Sequence, residues 1–132
     1  MNKIYKFQMN KIYKQKSLER LYLSELAKEK SLFYSLASNL YFSVFNYMQS
    51  ILEEPPEGKW KHLGIASYFS RYCIENGLYS KEELKKFSKN YRELYELRRK
   101  ADYLNIEFDH EDKNKLLKIF QYFDEVIKDG NC

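Results

Sequence analysis

The chain has 132 residues, with 23 basic and 19 acidic side chains, a net charge of +4, 17% aromatic residues, and only 4 glycines and 2 prolines. That length makes one domain, able to bury about two-thirds of its unfolded surface. So few breakers, with no alternating Val/Ile/Thr-rich runs, argue against a β-sandwich or barrel and for an all-α protein, and a charged fraction of 32% argues against a membrane protein, so no membrane partner is expected.

Residues 1–16 hold Lys3, Lys6, Lys11, Lys14 and Lys16 with no acid, which leaves the rest of the chain close to neutral. Asn-Lys-Ile-Tyr-Lys occurs at 2–6 and again at 10–14. A single eight-residue repeat is too short for a solenoid. The segment reads as a basic N-terminal arm with an alternative start at Met9, or as a Lys/Tyr arm that lies on phosphates and stacks on bases. Residues 17–132 are then one helical bundle. The first residues lack the apolar run of a secretory signal, so a cytoplasmic protein is expected.

Ser17 is a candidate cap for a first helix over 18–29, with Leu18, Leu21, Tyr22 and Leu26 on its inner face. From Ser31 to Leu52 there is no charge at all. That length can span a bilayer, but Ser31, Ser35, Ser38, Asn39, Asn46 and Gln49 gather on one side of the wheel, opposite Phe33, Ala37, Leu40, Val44, Phe45, Met48 and Ile51. The pattern suits a central bundle helix whose small polar face meets another helix or another subunit. Pro55 and Pro56 end it.

A third helix over 61–75 uses Ile65, Ala66, Phe69 and Cys73, with Asn76-Gly77 as its stop. The fourth, over 81–103, opens with Ser80 and Glu83 in capping-box spacing. Its inner stripe, Leu84, Phe87, Tyr91, Leu94 and Tyr95, continues into Arg98 and Asp102. Charges at core positions mean that the stripe opens there into a cleft or subunit interface, or that the helix rolls outward or frays. After a break at Leu104-Asn105, Asp109 and Asp112 mark a last helix, with Leu116, Ile119, Phe120, Phe123 and Ile127 inward. Five helices with mostly short connections make an up-and-down antiparallel bundle.

Neither histidine sits in a metal-ligand spacing, and there is no phosphate-binding glycine loop or nucleophile elbow. Cys73 and Cys132 read as reduced thiols. No metal and no cofactor are expected. His110 reads as solvated. His62, beside Lys61 and Trp60, is either a surface residue or part of a cleft that meets an anion. Arg98, Arg99 and Lys100 are suited to phosphate, although cations in a last turn also complement the helix C-terminus. Of the three, Arg98 lies on the inner stripe.

Three segments resemble the HEPN-domain family of small helical bundles found beside minimal nucleotidyltransferases. Asn39-Leu40-Tyr41-Phe42-Ser43-Val44-Phe45-Asn46 resembles the family's aromatic core helix. Lys61-His62-Leu63-Gly64-Ile65 resembles its His-containing helix start. Leu94 to Tyr103, with Arg98-Arg99-Lys100-Ala101-Asp102-Tyr103, resembles its R-x-x-a-D-Y signature. The likeness covers about 30–125. It implies a HEPN-like homodimer with Arg98 near a cleft between subunits, in a toxin–antitoxin setting. Many such proteins are metal-independent ribonucleases that a partner nucleotidyltransferase neutralises, in some systems by adenylylating a tyrosine. Here the family's Arg, four to six residues, then His is incomplete, because Asp102 and Tyr103 occupy the window. The candidate catalytic residues are therefore Arg98, Asp102 and His62. Arg99, Lys100 and Lys61 are candidates for binding RNA or a nucleotide, and Tyr103 for modification. Endoribonuclease and non-catalytic binding or substrate-presenting subunit are the two main alternatives, with a structural bundle that holds no ligand as the third.

Overall fold

The computed structural model describes residues 3–52, 60–62 and 64–129, with side chains from residue 10 onward. Among the described residues five helices follow one another: α1 (Lys3–Glu29), α2 (Phe33–Ile51), α3 (Gly64–Glu75), α4 (Lys81–Asp102) and α5 (His110–Asp129). The described residues contain no strand, as the scarcity of breakers and of alternating runs predicts. The Pro55-Pro56 stop, Leu63, Cys132 and the side chains of Lys3 and Lys6 lie outside the described residues.

Helix α2 is the axis of the molecule, because it packs against α1, α3, α4 and α5. Its uncharged sequence follows from that position. Leu36, Ala37, Leu40, Tyr41, Ser43, Val44, Asn46, Tyr47 and Met48 are all buried, on more than one face. A charge almost anywhere along it would be desolvated.

Most helix ends are set by local chemistry. Ser80 and Glu83 form the expected capping box, with Glu83 N–H donating to Ser80 Oγ at 3.1 Å and Ser80 N–H donating to Glu83 Oε1 at 2.8 Å. Asp109 and Asp112 make the equivalent reciprocal pair at the start of α5, at 2.7 and 3.2 Å. Helix α3 stops in a Schellman turn at Gly77, φ +63°, where Leu78 N–H reaches Cys73 O at 2.9 Å. The same turn ends α1, but its left-handed residue is Ser31, φ 56°, with Leu32 N–H on Ala27 O at 2.8 Å. A side chain in that region costs about 1 kcal/mol relative to glycine.

The first helix departs from expectation. It begins at Lys3, so helix runs through the segment read as an arm, and Ser17 lies mid-helix instead of capping it. Leu18 and Tyr22 are exposed, at 43% and 60%; the buried face is Ser17, Leu21, Ser24 and Ala27. The reason is a close crossing with α2. Ser17 Oγ donates to Ser43 O at 2.8 Å and Ser43 Oγ donates to Ser17 O at 2.7 Å. Small hydroxylated residues let the backbones approach and keep each hydroxyl satisfied, so the apolar side chains of α1 are not all on its core side. Lys14 lies over the Tyr47 ring at 5.0 Å.

At the end of the core near Ser80, Phe87 packs between Phe69 and Phe123, with ring centroids 4.7 and 5.2 Å away and the Phe123 ring edge-on. Leu84, Leu94, Leu116, Ile119 and Ile127 complete an apolar interior. Each buried aliphatic or aromatic side chain there contributes about 1.5–3 kcal/mol. Cys73 is buried with them.

Candidate functional site

The second half of α4 keeps the stripe of the first but loads it with charge. Because the stripe faces α2, Arg98 is carried inward and is only 6% exposed. Its guanidinium carbon lies 5.0 Å from the ring centroids of Tyr41 and Phe42 and 4.7 Å from that of Tyr103. Nε donates to Asp102 Oδ2 at 3.1 Å, and Nη2 donates to the Tyr103 hydroxyl at 2.9 Å. Asp102, whose side chain is 31% exposed, also accepts from Ser38 Oγ at 3.0 Å. The helix thus stays wound to Asp102, and the buried cation is stabilised by one carboxylate, one phenol and three ring faces. Desolvated cation–π contacts contribute about 2 kcal/mol, and the carboxylate supplies the charge that a buried guanidinium requires.

His62 reaches the same cluster from the segment before α3. Its Nδ1 is 2.6 Å from the Tyr41 hydroxyl. The ring packs beside Phe45, Tyr41 and Phe42, with centroids 5.2, 5.6 and 6.4 Å away. Tyr41 is in turn 3.0 Å from the Tyr91 hydroxyl, and Tyr91 Oη donates to the His62 carbonyl at 2.5 Å. The two phenol rings stack at 5.6 Å. A second guanidinium approaches from α1, with Arg20 5.2 Å from the centroid of Phe42.

The environment sets the ionisation. Partial burial, with the positive charge of Arg98 adding to it, lowers the pKa of His62, which favours neutral imidazole. Burial pushes Tyr41 up to about 12, against the opposing effects of the Tyr91 hydrogen bond and of Arg98. Tyr91 is pushed upward too, by burial first and then by Tyr41. Both phenols therefore keep their protons.

The structure brings Arg98, Asp102, Tyr103 and His62 together. It does not bring in the neighbouring cations. Lys100 turns to α5, where Nζ is 3.2 Å from both Asp112 oxygens, along a groove of about 330 Å³ lined by Arg92, Glu93, Glu96 and Lys115. Arg99 is directed outward and pairs with Glu96 at 3.5 Å. Lys61 and His110 are exposed. Ser38 was read on the polar face of its helix, Tyr41 and Phe42 only within the segment that resembles an aromatic core helix, and Tyr91 on the inner stripe, so their part in the cluster was missed. The available signal was tyrosine in place of phenylalanine at a core position, since a buried hydroxyl needs a partner.

Among the described residues no group of His, Cys, Asp or Glu is placed to hold a metal ion, and no helix is long and apolar enough to cross a membrane. The cluster pairs an aromatic-walled guanidinium with a near-neutral imidazole, chemistry that suits a phosphate-bearing ligand with an exchangeable proton. Comparison with protein-family models, with curated proteins and with solved structures finds no match to this chain.

Proposed function

We propose that this chain is a HEPN toxin-like protein that binds RNA at the Arg98 cluster, in an up-and-down homodimer whose two protomers share the cleft. In this reading a minimal nucleotidyltransferase is its antitoxin partner, and Tyr103 is the residue that partner would modify. Arg98 holds the phosphate, while His62 takes the place of the histidine absent from the window after Arg98. The observation that carries the reading is the convergence of His62 with Arg98 across Tyr41, since two segments distant in sequence supply the two groups that phosphate chemistry needs. Asp102 orients the guanidinium.

The second reading, a non-catalytic subunit that holds an RNA end or presents a substrate, draws on a different observation. Tyr103 is 67% exposed while its hydroxyl is held by Arg98, which suits display of a side chain better than turnover at it.

Incubation of the purified protein with RNA in EDTA separates the two readings. The expected outcome is fragments, reduced about 100-fold or more by Arg98→Ala with the helical circular dichroism intact. Binding without fragments selects the second reading. Neither binding nor cleavage, or cleavage that survives the substitution, removes Arg98 from the site.

A further inference from the structure

We propose that Tyr91 and Tyr41 form a two-phenol relay that fixes His62 as the Nδ1–H tautomer and leaves Nε2 as the proton acceptor of the site. The relay itself is a statement about hydrogen positions, and only its use rests on the reading of the Arg98 cluster as the working site.

The assignment follows from counting protons. Three contacts join three residues: Tyr91 Oη to His62 O at 2.5 Å, Tyr41 Oη to Tyr91 Oη at 3.0 Å, and Tyr41 Oη to His62 Nδ1 at 2.6 Å. A carbonyl oxygen only accepts, so the single proton of Tyr91 is committed to His62 O. Tyr91 can then meet Tyr41 only as an acceptor, so the single proton of Tyr41 points at Tyr91. Tyr41 Oη is left with lone pairs for His62, and the proton between them must belong to Nδ1. The opposite arrangement, with Tyr41 donating to Nδ1, would set two buried phenol oxygens against each other at 3.0 Å with no proton between them. Tyr41 and Tyr91 are 0% and 1% exposed, so water offers no relief.

The loop closes on itself, because the chain of donors ends at the backbone of the residue where it starts. His62 is thereby held by its carbonyl and by one ring nitrogen, although it lies outside any helix. Its other nitrogen makes no hydrogen bond among the described residues, and the side chain is exposed. Nε2 can gain and lose a proton while Nδ1–H stays on Tyr41, so nothing in the relay rearranges when it does so. Tyr41 and Tyr91 act here as positioning residues for an imidazole that accepts a proton. Arg98 lies 5.0 Å from the centroid of the same Tyr41 ring, so the imidazole and the guanidinium share one aromatic wall.

Long-range ¹H–¹⁵N spectra of the labelled full chain read the tautomer directly. The chain has only two histidines, and His110→Gln assigns them. Above its titration, His62 is expected to show a protonated Nδ1 and a bare Nε2, opposite to the preference of free histidine. In Tyr91→Phe the hydroxyl of Tyr41 loses its acceptor and turns to donate to Nδ1, so the tautomer reverses while the ring packing stays. A wild-type Nε2–H tautomer overturns the relay, and so does a Tyr91→Phe spectrum with Nδ1 still protonated in protein of native circular dichroism. If Tyr91→Phe does not fold, the wild-type spectrum and Tyr41→Phe, expected to lose the Nδ1–H preference, decide. Nδ1–H in a protein that neither binds nor cleaves RNA keeps the relay and removes the proposed function; RNA cleavage with the wrong tautomer does the reverse.

Discussion

In its first half α4 buries Phe87 between Phe69 and Phe123, whereas in its second half the same stripe sets Arg98 against Tyr41, Phe42 and Tyr103. Both halves are aromatic, buried and helical. They differ in what burial is used for. The first, around Phe87, removes apolar area from water. The second removes a charge from water, which costs free energy, and offsets the cost with a carboxylate, a phenol and ring faces. A position that costs stability and is nonetheless filled by a cation is where chemistry is to be sought.

The comparison breaks most visibly at Phe87. Phe87→Ala is expected to lower unfolding free energy by about 3–5 kcal/mol in urea titrations, while the folded fraction keeps the His62 tautomer. A changed tautomer would mean that the two halves are not separable. Arg98→Met tests the other half. It replaces a desolvated cation with an apolar side chain of similar length, so stability is expected to fall by no more than about 2 kcal/mol while RNA binding is lost. A loss as large as that of Phe87→Ala would show that Arg98 is there for the fold.

The smallest effect belongs to the charged pair on the far face of α4. Burial alone would raise the pKa of Asp112, but the Lys100 and Asp109 hydrogen bonds outweigh it and hold the carboxyl below its ordinary value. A carboxyl depressed in the folded state contributes stability above its unfolded pKa of about 3.9, and that contribution is lost as pH falls toward the folded value. Asp112→Asn is therefore expected to cost about 1 kcal/mol at pH 7. The gap to wild type should close on acidification below about pH 4 in thermal melts. A gap that persists there would assign the effect to packing.

What was legible in the chain was what depends on neighbours in sequence. The Ser80/Glu83 and Asp109/Asp112 boxes and the Gly77 stop are all satisfied within one turn. The place of Arg98 on the inner stripe was legible as well, because the helical period carries the stripe through it, but whether the stripe stays buried there was left open. Ser17 was not. A serine before an apolar run looks the same whether it caps a helix or meets another serine across a close crossing, and only Ser43 decides. The start of α1 was obscured for a related reason, since a Lys/Tyr repeat has the charge of a tail but contains no breaker. His62 stayed undecided because its partner is a hydroxyl on α2, and that hydroxyl is oriented by another on α4. A chain of three residues on three segments leaves no periodic trace.

The central position of α2 has a consequence for how a ligand would be received. A helix flanked by four others can expose its amides to exchange with deuterium only when the whole molecule opens, which places it at the slow end of the exchange spectrum. Tyr41, Phe42 and Phe45 are on that helix, so the floor beneath His62 and Arg98 belongs to the part of the molecule least able to breathe. Tyr103, at the end of α4, and His62, before α3, are exposed. Any adjustment to an incoming molecule would fall to Tyr103, since His62 is tied at two points, to Tyr41 and to Tyr91.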